Sequence, residues 1–256
     1  MKEEIRTQII FLICFVAAWY AVYKMQCFDE LVFPSPADIG KAFITGFTEK
    51  GMMDFTLYSM SLIVKGLAAG IGLAFVFSSI AVVSSIFHSI YNLVVSICDL
   101  LPGVALLPLA ITWFGLSEVT IIFIVVHSII WPMSRSIMDG FKSVPALYVE
   151  SGRNIGLRGM RLVTGIYLPA AFSSVLSGLR VGWARAWRGL ISVEMIFGTT
   201  GSGAGIGWYI FTRRVNMDTA GMYASLIVII IIGIIIEYGV FRTIESKTVR
   251  KWGMAR

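Results

Sequence analysis

The chain has 256 residues, 57% of them hydrophobic and 14% charged, with a mean hydropathy of +0.83. Soluble chains carry roughly 45–50% apolar and about 25% charged residues, so this composition excludes a soluble enzyme and points to an integral membrane protein. The net charge of +6, from 21 Lys and Arg against 15 Asp and Glu, then reads as basic cytoplasmic loops rather than a nucleic-acid surface.

Six apolar windows approach the roughly 17–25 residues that a spanning helix needs. The first, residues 9–23, is flanked by Lys2, Glu3, Glu4 and Arg6 without a small-residue cleavage site, and reads as a retained anchor. After it comes Phe33-Pro34-Ser35-Pro36-Ala37-Asp38-Ile39, in which Ser35 suits a helix cap, Pro36 the first helical position and Asp38 the positive helix end. Ile39, Phe43 and Phe47 recur at helical spacing, so a short amphipathic helix is predicted to lie along the outer interface as a cover for the bundle.

The remaining spans are predicted over residues 61–87, 93–114, 119–137, 168–197 and 220–241. In the first of these, Gly66, Gly70 and Gly72 with Ala68, Ala69 and Ala74 suit close helix approach. Placing the N-terminus inside puts twelve Lys and Arg residues at or beyond the inner span ends and five outside, so both termini are predicted to be cytoplasmic.

Residues 139–167 form the longest inner polar stretch, too long for a simple hairpin. Ser143 and Pro145 suit a helix start, Gly156 a C-terminal cap, and a second helical stretch from Leu157 leads to Leu168-Pro169. A helix–turn–helix across the membrane face follows.

Charges at membrane depth are costly and default to functional candidates. On the fifth span Arg180, Trp183, Trp187, Ile191 and Glu194 share one helical face, with Arg188 at its margin and Arg185 pointing away. That face is predicted to line a transport path or a second subunit; the competing reading has Arg180 snorkelling and the tryptophans packing on neighbours. Glu194 suits either a helix-positioning hydrogen bond or solute contact. Asp99 and Lys65 interrupt the third and second spans and would pair if those helices are neighbours, while Glu237 is placed to reach headgroups.

His88 and His127 have no carboxylates at metal spacing, and Cys14, Cys27 and Cys98 lack CxxC or CxxH spacing, so no metal site is expected. The run Gly198, Gly201, Gly203, Gly205 and Gly207 lacks both nucleotide-loop spacings and reads instead as tight turns, with Gly203, Gly205 and Gly207 as a candidate gate or hinge.

Glu150-Ser151-Gly152, Gly156, Ile166 and Leu168-Pro169 resemble the EAA motif of permease subunits of binding-protein-dependent bacterial ABC importers. The resemblance continues through Phe33-Pro34-Ser35-Pro36, Ala105–Leu109, Trp113–Glu118, Gly178-Leu179-Arg180, Ala186-Trp187, Glu194 and Gly203–Gly207, and is similar to the nitrate, sulfonate, taurine and bicarbonate type. It implies an all-α polytopic fold of the type I importer permease kind. It further implies coupling to an ATPase through Glu150, Ser151, Gly152, Arg153 and Gly156, and a pathway that includes Asp99, Arg180, Trp183, Trp187, Arg188 and Glu194. The implied partners are a second permease subunit, two ABC ATPases that carry the ATP and Mg, and an extracytoplasmic solute-binding protein. No cofactor is expected on this chain, which would not itself be an enzyme.

Two departures stand out. Gly152 replaces the motif's second Ala, which is expected to loosen the first helix, and Asp99 stands where the sulfonate and nitrate relatives usually have Arg. An acid there opposes an anion, which leaves neutral or zwitterionic solutes such as vitamin precursors open. The alternative class, a self-sufficient channel or secondary transporter, calls for inverted repeats or a midplane ion site that the sequence does not display.

Overall fold

The structure is a computed structural model that describes residues 2–29, 31–200, 203–249 and 251, with side chains from Arg6 onward. Gly201 of the glycine run, and Arg250 and Arg256 of the basic tally, lie outside the described residues, as do the side chains of Lys2, Glu3 and Glu4.

Every regular element among the described residues is helical. The elements that matter below are α1 (Lys2–Lys24), α2 (Pro36–Thr48), α3 (Met52–Val83), α4 (Ser85–Cys98), α5 (Leu107–Phe114), α6 (Glu118–Lys142), α7 (Ala146–Asn154), α8 (Phe172–Phe197), α9 (Ile206–Val215) and α10 (Thr219–Lys247). Among the described residues four helices, α1 from Arg6, α3, α6 and α10, are long and apolar enough to cross a membrane. Two bent pairs, α4 with Gly103–Phe114 (92°) and Met160–Ala170 with α8 (79°), bring the total up to six if each pair is counted as one span.

The bends correct two of the predicted spans. Residues 93–114 do not form one helix, because Pro102 holds an extended backbone (φ −62°, ψ 124°) and the chain turns after Asp99. Residues 168–197 likewise break at Ala171, just past Pro169, and α8 starts at Phe172. The predicted second span also shifts. Its helix begins at Met52 and ends at Val83, where extended Ser84 accepts a hydrogen bond from the Phe87 N–H (3.3 Å) and caps α4.

The bundle is organised around α6, the most buried spanning helix, which packs against α3 on one side and α8 on the other. A Cβ on Gly66 would lie 2.3 Å from Val125 Cγ1, and one on Gly70 would lie 2.3 Å from Ile129 Cγ2. Bare backbone at these two positions lets α3 and α6 approach closely. Gly72, Ala68 and Ala69, expected to join them, are instead on the exposed side of α3.

α2 begins at Pro36 for the reason visible in the sequence. Ser35 Oγ accepts from the Asp38 N–H (3.1 Å) and donates to Asp38 Oδ2 (2.6 Å). Its apolar stripe packs mainly on α10, with Ile39 buried and Phe43 and Phe47 partly buried. α1 is exposed along almost its whole length and is held near one end, where Trp19 donates to Pro34 O (3.0 Å) and stacks on Phe33.

At the start of α10, Asp218 caps Gly221 N–H (2.9 Å) and meets Lys50 Nζ at 2.8 Å and Arg213 Nη1 at 3.4 Å. Burial would raise this carboxyl, but the hydrogen bonds from Lys50 and Gly221 and the nearby positive charges hold it below the usual carboxylate range. Its stabilising contribution is therefore complete above about pH 4 and is lost as pH falls through the depressed folded value. Asp218→Asn keeps a cap but removes the charge. Melting temperature followed between about pH 6 and 3 should fall more steeply in the parent than in the variant; parallel curves would show that the carboxylate contributes nothing.

Candidate coupling helix and charged cavity

α7 stands outside the spanning helices. Pro145 occupies its cap position, and Gly156 ends the turn in the left-handed region (φ +87°), with Leu157 N–H donating to Gly152 O (3.0 Å). The second helical stretch, expected from Leu157, starts at Met160 and contains a π-turn over Val163–Tyr167.

One face of α7, Val149 and Gly152, is buried. A Cβ on Gly152 would lie 2.8 Å from Ile166 Cγ1 and 2.9 Å from Leu162 Cδ1, so the glycine that breaks the motif admits these two side chains onto the helix. Away from that face α7 exposes Leu147 (68%), Tyr148 (53%) and, one residue past the end, Ile155 (77%). Apolar side chains left bare together on a surface helix are characteristic of protein or membrane contact surfaces.

Sequence reasoning pointed to Glu150, Ser151, Gly152, Arg153 and Gly156 and did not single out these three exposed side chains, although their spacing with Ser151 is helical. Ser151 Oγ turns back to its own Leu147 O (2.7 Å). Glu150 and Arg153 are exposed and line a cavity of about 350 Å3 between α7 and the bundle, together with Lys142 and His88.

A second charged cavity, of about 250 Å3, lies near the middle of α6 and α8 and is lined by Asp99, Pro102, His127, Trp131, Arg185 and Arg188. Asp99 sits at the C-terminal end of α4. Its Oδ1 accepts from Arg185 Nη1 at 2.5 Å, and its Oδ2 lies 3.6 Å from Arg135 Nη2. The expected Lys65–Asp99 pair is not made. Lys65 Nζ lies 3.0 Å from Glu118 Oε2 at the start of α6, while α4 delivers Asp99 to the seam between α6 and α8.

Arg185 does point away from the tryptophan face, and this is what brings it to Asp99. The structure therefore joins Asp99 and Arg188 on one cavity and adds Arg185 and His127, with Arg135 reaching Asp99 from α6; none of these three was selected by the helical phase alone. Both ring nitrogens of His127, and Trp131 Nε1, are buried without a hydrogen-bond partner.

The other residues of the predicted pathway face turn inward. Trp183 and Trp187 are buried and stacked, with centroids 5.6 Å apart and planes 11° apart. Arg180 binds Glu237 (3.1 Å) and Glu245 (3.1 Å) and lies over the Phe241 ring, fastening α8 to α10. Glu237 thus meets a guanidinium and keeps 41% of its side chain exposed.

Glu194 is buried at the opposite end of the bundle from α7, against the start of α9. Ser59 Oγ donates to its carboxylate (2.7 Å to Oε1, 2.8 Å to Oε2), and Gly207 N–H donates to Oε2 (3.0 Å). The same Ser59 Oγ accepts from Ile206 N–H (2.9 Å). The acid thus ties α3, α8 and the N-terminus of α9 together, where helix polarity favours negative charge. A Cβ on Gly205 would fall 2.1 Å from the carboxylate, so the glycine run makes room for Glu194. Gly203 lies against the Tyr58 ring, whose hydroxyl meets Thr200 Oγ1 at 2.5 Å.

Residues 66–250 match the family described as binding-protein-dependent transport system inner membrane component. A protein of Methanocaldococcus jannaschii assigned as an ABC transporter permease is 30% identical over 203 residues, covering 77% of this chain and 72% of its own. The taurine transport system permease protein of Escherichia coli is 25% identical, with 93% and 87% covered. The nitrate import permease protein of Synechocystis is also 25% identical, with 87% and 83% covered. The chain belongs to the inner-membrane permease components of binding-protein-dependent ABC importers, an all-α multi-pass subunit.

Proposed function

We propose that two copies of this permease enclose a path for a small solute, that two ABC ATPase subunits dock on α7 and hydrolyse ATP with Mg, and that a solute-binding protein delivers its cargo at the opposite end. The observation that carries this reading is the bare apolar face of Leu147, Tyr148 and Ile155 on a helix outside the spans. The motif residues Glu150, Ser151, Gly152, Arg153 and Gly156 shape and orient that helix. Both termini lie on the cytoplasmic side in this reading, with the basic inner loops.

The path runs along the exposed stripe of α8, where Val181, Ala184, Arg185 and Arg188 follow one another near mid-helix. Guanidiniums at that depth are costly against lipid and favour a second subunit or a water-filled passage. Asp99 and Arg188 border this path. Gly203, Gly205 and Gly207 form its gate beside Glu194. Relatives named for taurine and nitrate support a small anion or zwitterion as solute, with sulfonates, bicarbonate and vitamin precursors in the same size class.

Purification of the chain in mild detergent together with its neighbouring gene products, followed by intact-particle mass measurement, tests the assembly. Two permeases with two ATPases are expected. A stable particle of this chain alone, with the ATPase expressed beside it, would overturn the reading.

A further inference from the structure

We infer that the cavity between α4, α6 and α8 is a solute subsite within each protomer, in which His127, Trp131 and Arg188 bind an oxyanion group while Asp99 is held out of competition by Arg185 and Arg135. The inference rests on the importer reading above and assigns residues to its path.

Unsatisfied polar groups inside a membrane bundle are expensive, and the cavity gathers several. His127 is 8% exposed, with both ring nitrogens unpartnered, and Trp131 Nε1 is buried and unpartnered one helical turn away. Both belong to α6 and line the same cavity as Arg185 and Arg188. The ring contact between them, with centroids 5.7 Å apart and near-perpendicular planes, fixes their relative placement.

Charge selects the ligand. Among the described residues Asp99 is the one acid lining the cavity, and its two oxygens are turned to Arg185 and Arg135. Among the described residues Arg188 makes no ion pair; its Nε donates to Ala184 O (3.0 Å), which leaves the guanidinium's terminal nitrogens for a ligand. A guanidinium, an indole N–H and an imidazole N–H complement oxygen acceptors carrying negative charge. At about 250 Å3 the space is below the roughly 300–1,000 Å3 of ordinary ligand pockets, which restricts it to a compact solute. Asp99 therefore does not repel the anion: it is an internal counter-ion that orders Arg185 and leaves Arg188 free.

The chain contains only two histidines, so imidazole NMR of the detergent-solubilised complex isolates the site when this chain alone carries the label and is reassembled with unlabelled partners. With 15N-labelled histidine, titration with ethanesulfonate or nitrate should shift the His127 ring signals saturably and leave those of His88 in place. Chloride should give no saturable shift. Arg188→Gln, at an exposed position, should weaken the response by about tenfold or more, as loss of a charge-assisted bond predicts. His127→Phe, which preserves the aromatic contact, should weaken binding of the same anions when affinity is read by titration calorimetry of the complex. The subsite is overturned if His127 does not respond in a complex that still carries its ATPases, if chloride acts equally, or if Arg188→Gln changes nothing. Buried water alone would give the first of these results. Conversely, a saturable His127 response in a chain that never assembles with an ATPase would sustain the subsite and sink the importer reading.

Discussion

Gly207→Ala is expected to destabilise the folded chain by about 3 kcal/mol or more, at the upper end of what overpacking a buried site costs. The added methyl would lie 2.5 Å from Ile191 O and 2.7 Å from Glu194 Cβ, and the first of these is backbone that cannot rotate away. The clash falls where Glu194 gathers the Ser59 hydroxyl and the Gly207 N–H, so displacement also strips hydrogen bonds from a buried acid. Gly72→Ala is the matched control. A Cβ there meets nothing within 4 Å, and Ala is favoured over Gly in a helix by up to about 1 kcal/mol. Thermal unfolding of the two purified variants should show a large loss for the first and none for the second. Equal behaviour would mean that the Glu194 hub does not hold the end of the bundle together.

Ile155→Asp, alone or with Tyr148→Asp, is expected to abolish recovery of the ATPase with this chain, a loss of about 30-fold or more in affinity for each apolar anchor removed. Both side chains are mostly exposed, so the variants should fold and melt as the parent does. Glu150→Lys should have a smaller effect, since Glu150 borders the cavity behind the docking face as well as solvent. Co-purification from membranes measures all three. Undiminished ATPase recovery with Ile155→Asp would remove the apolar face from the coupling joint.

What the sequence made legible was local. Ser35, Pro36 and Asp38 start α2 through contacts within one turn, and Gly156 stops α7 by its own backbone freedom. The breaks at Ser84 and Pro102 were hidden because α4 and the residues after its bend together supply about as many apolar residues as one straight span. The pairing of Arg185 was not legible because helical phase gives a direction but not the neighbour in that direction, and the neighbour, Asp99, is brought in by a bend. Glu194 and the glycines were each visible as unusual. Their relation, a carboxylate filling the space that Gly205 vacates, exists only once α9 folds back across α3 and α8.

The 79° corner at Ala171 makes the docking segment and α8 the two arms of a crank. α7 seats on Leu162 and Ile166 of the short arm, and Arg185 rides on the long arm about 20 Å from the pivot, at 1.5 Å per residue. A tilt of about 10° at the corner would carry that guanidinium roughly 3 Å, more than separates a made hydrogen bond from a broken one. If an ATPase docks on α7 as proposed, a small stroke there would be amplified at the Arg185–Asp99 ion pair in the middle of the bundle.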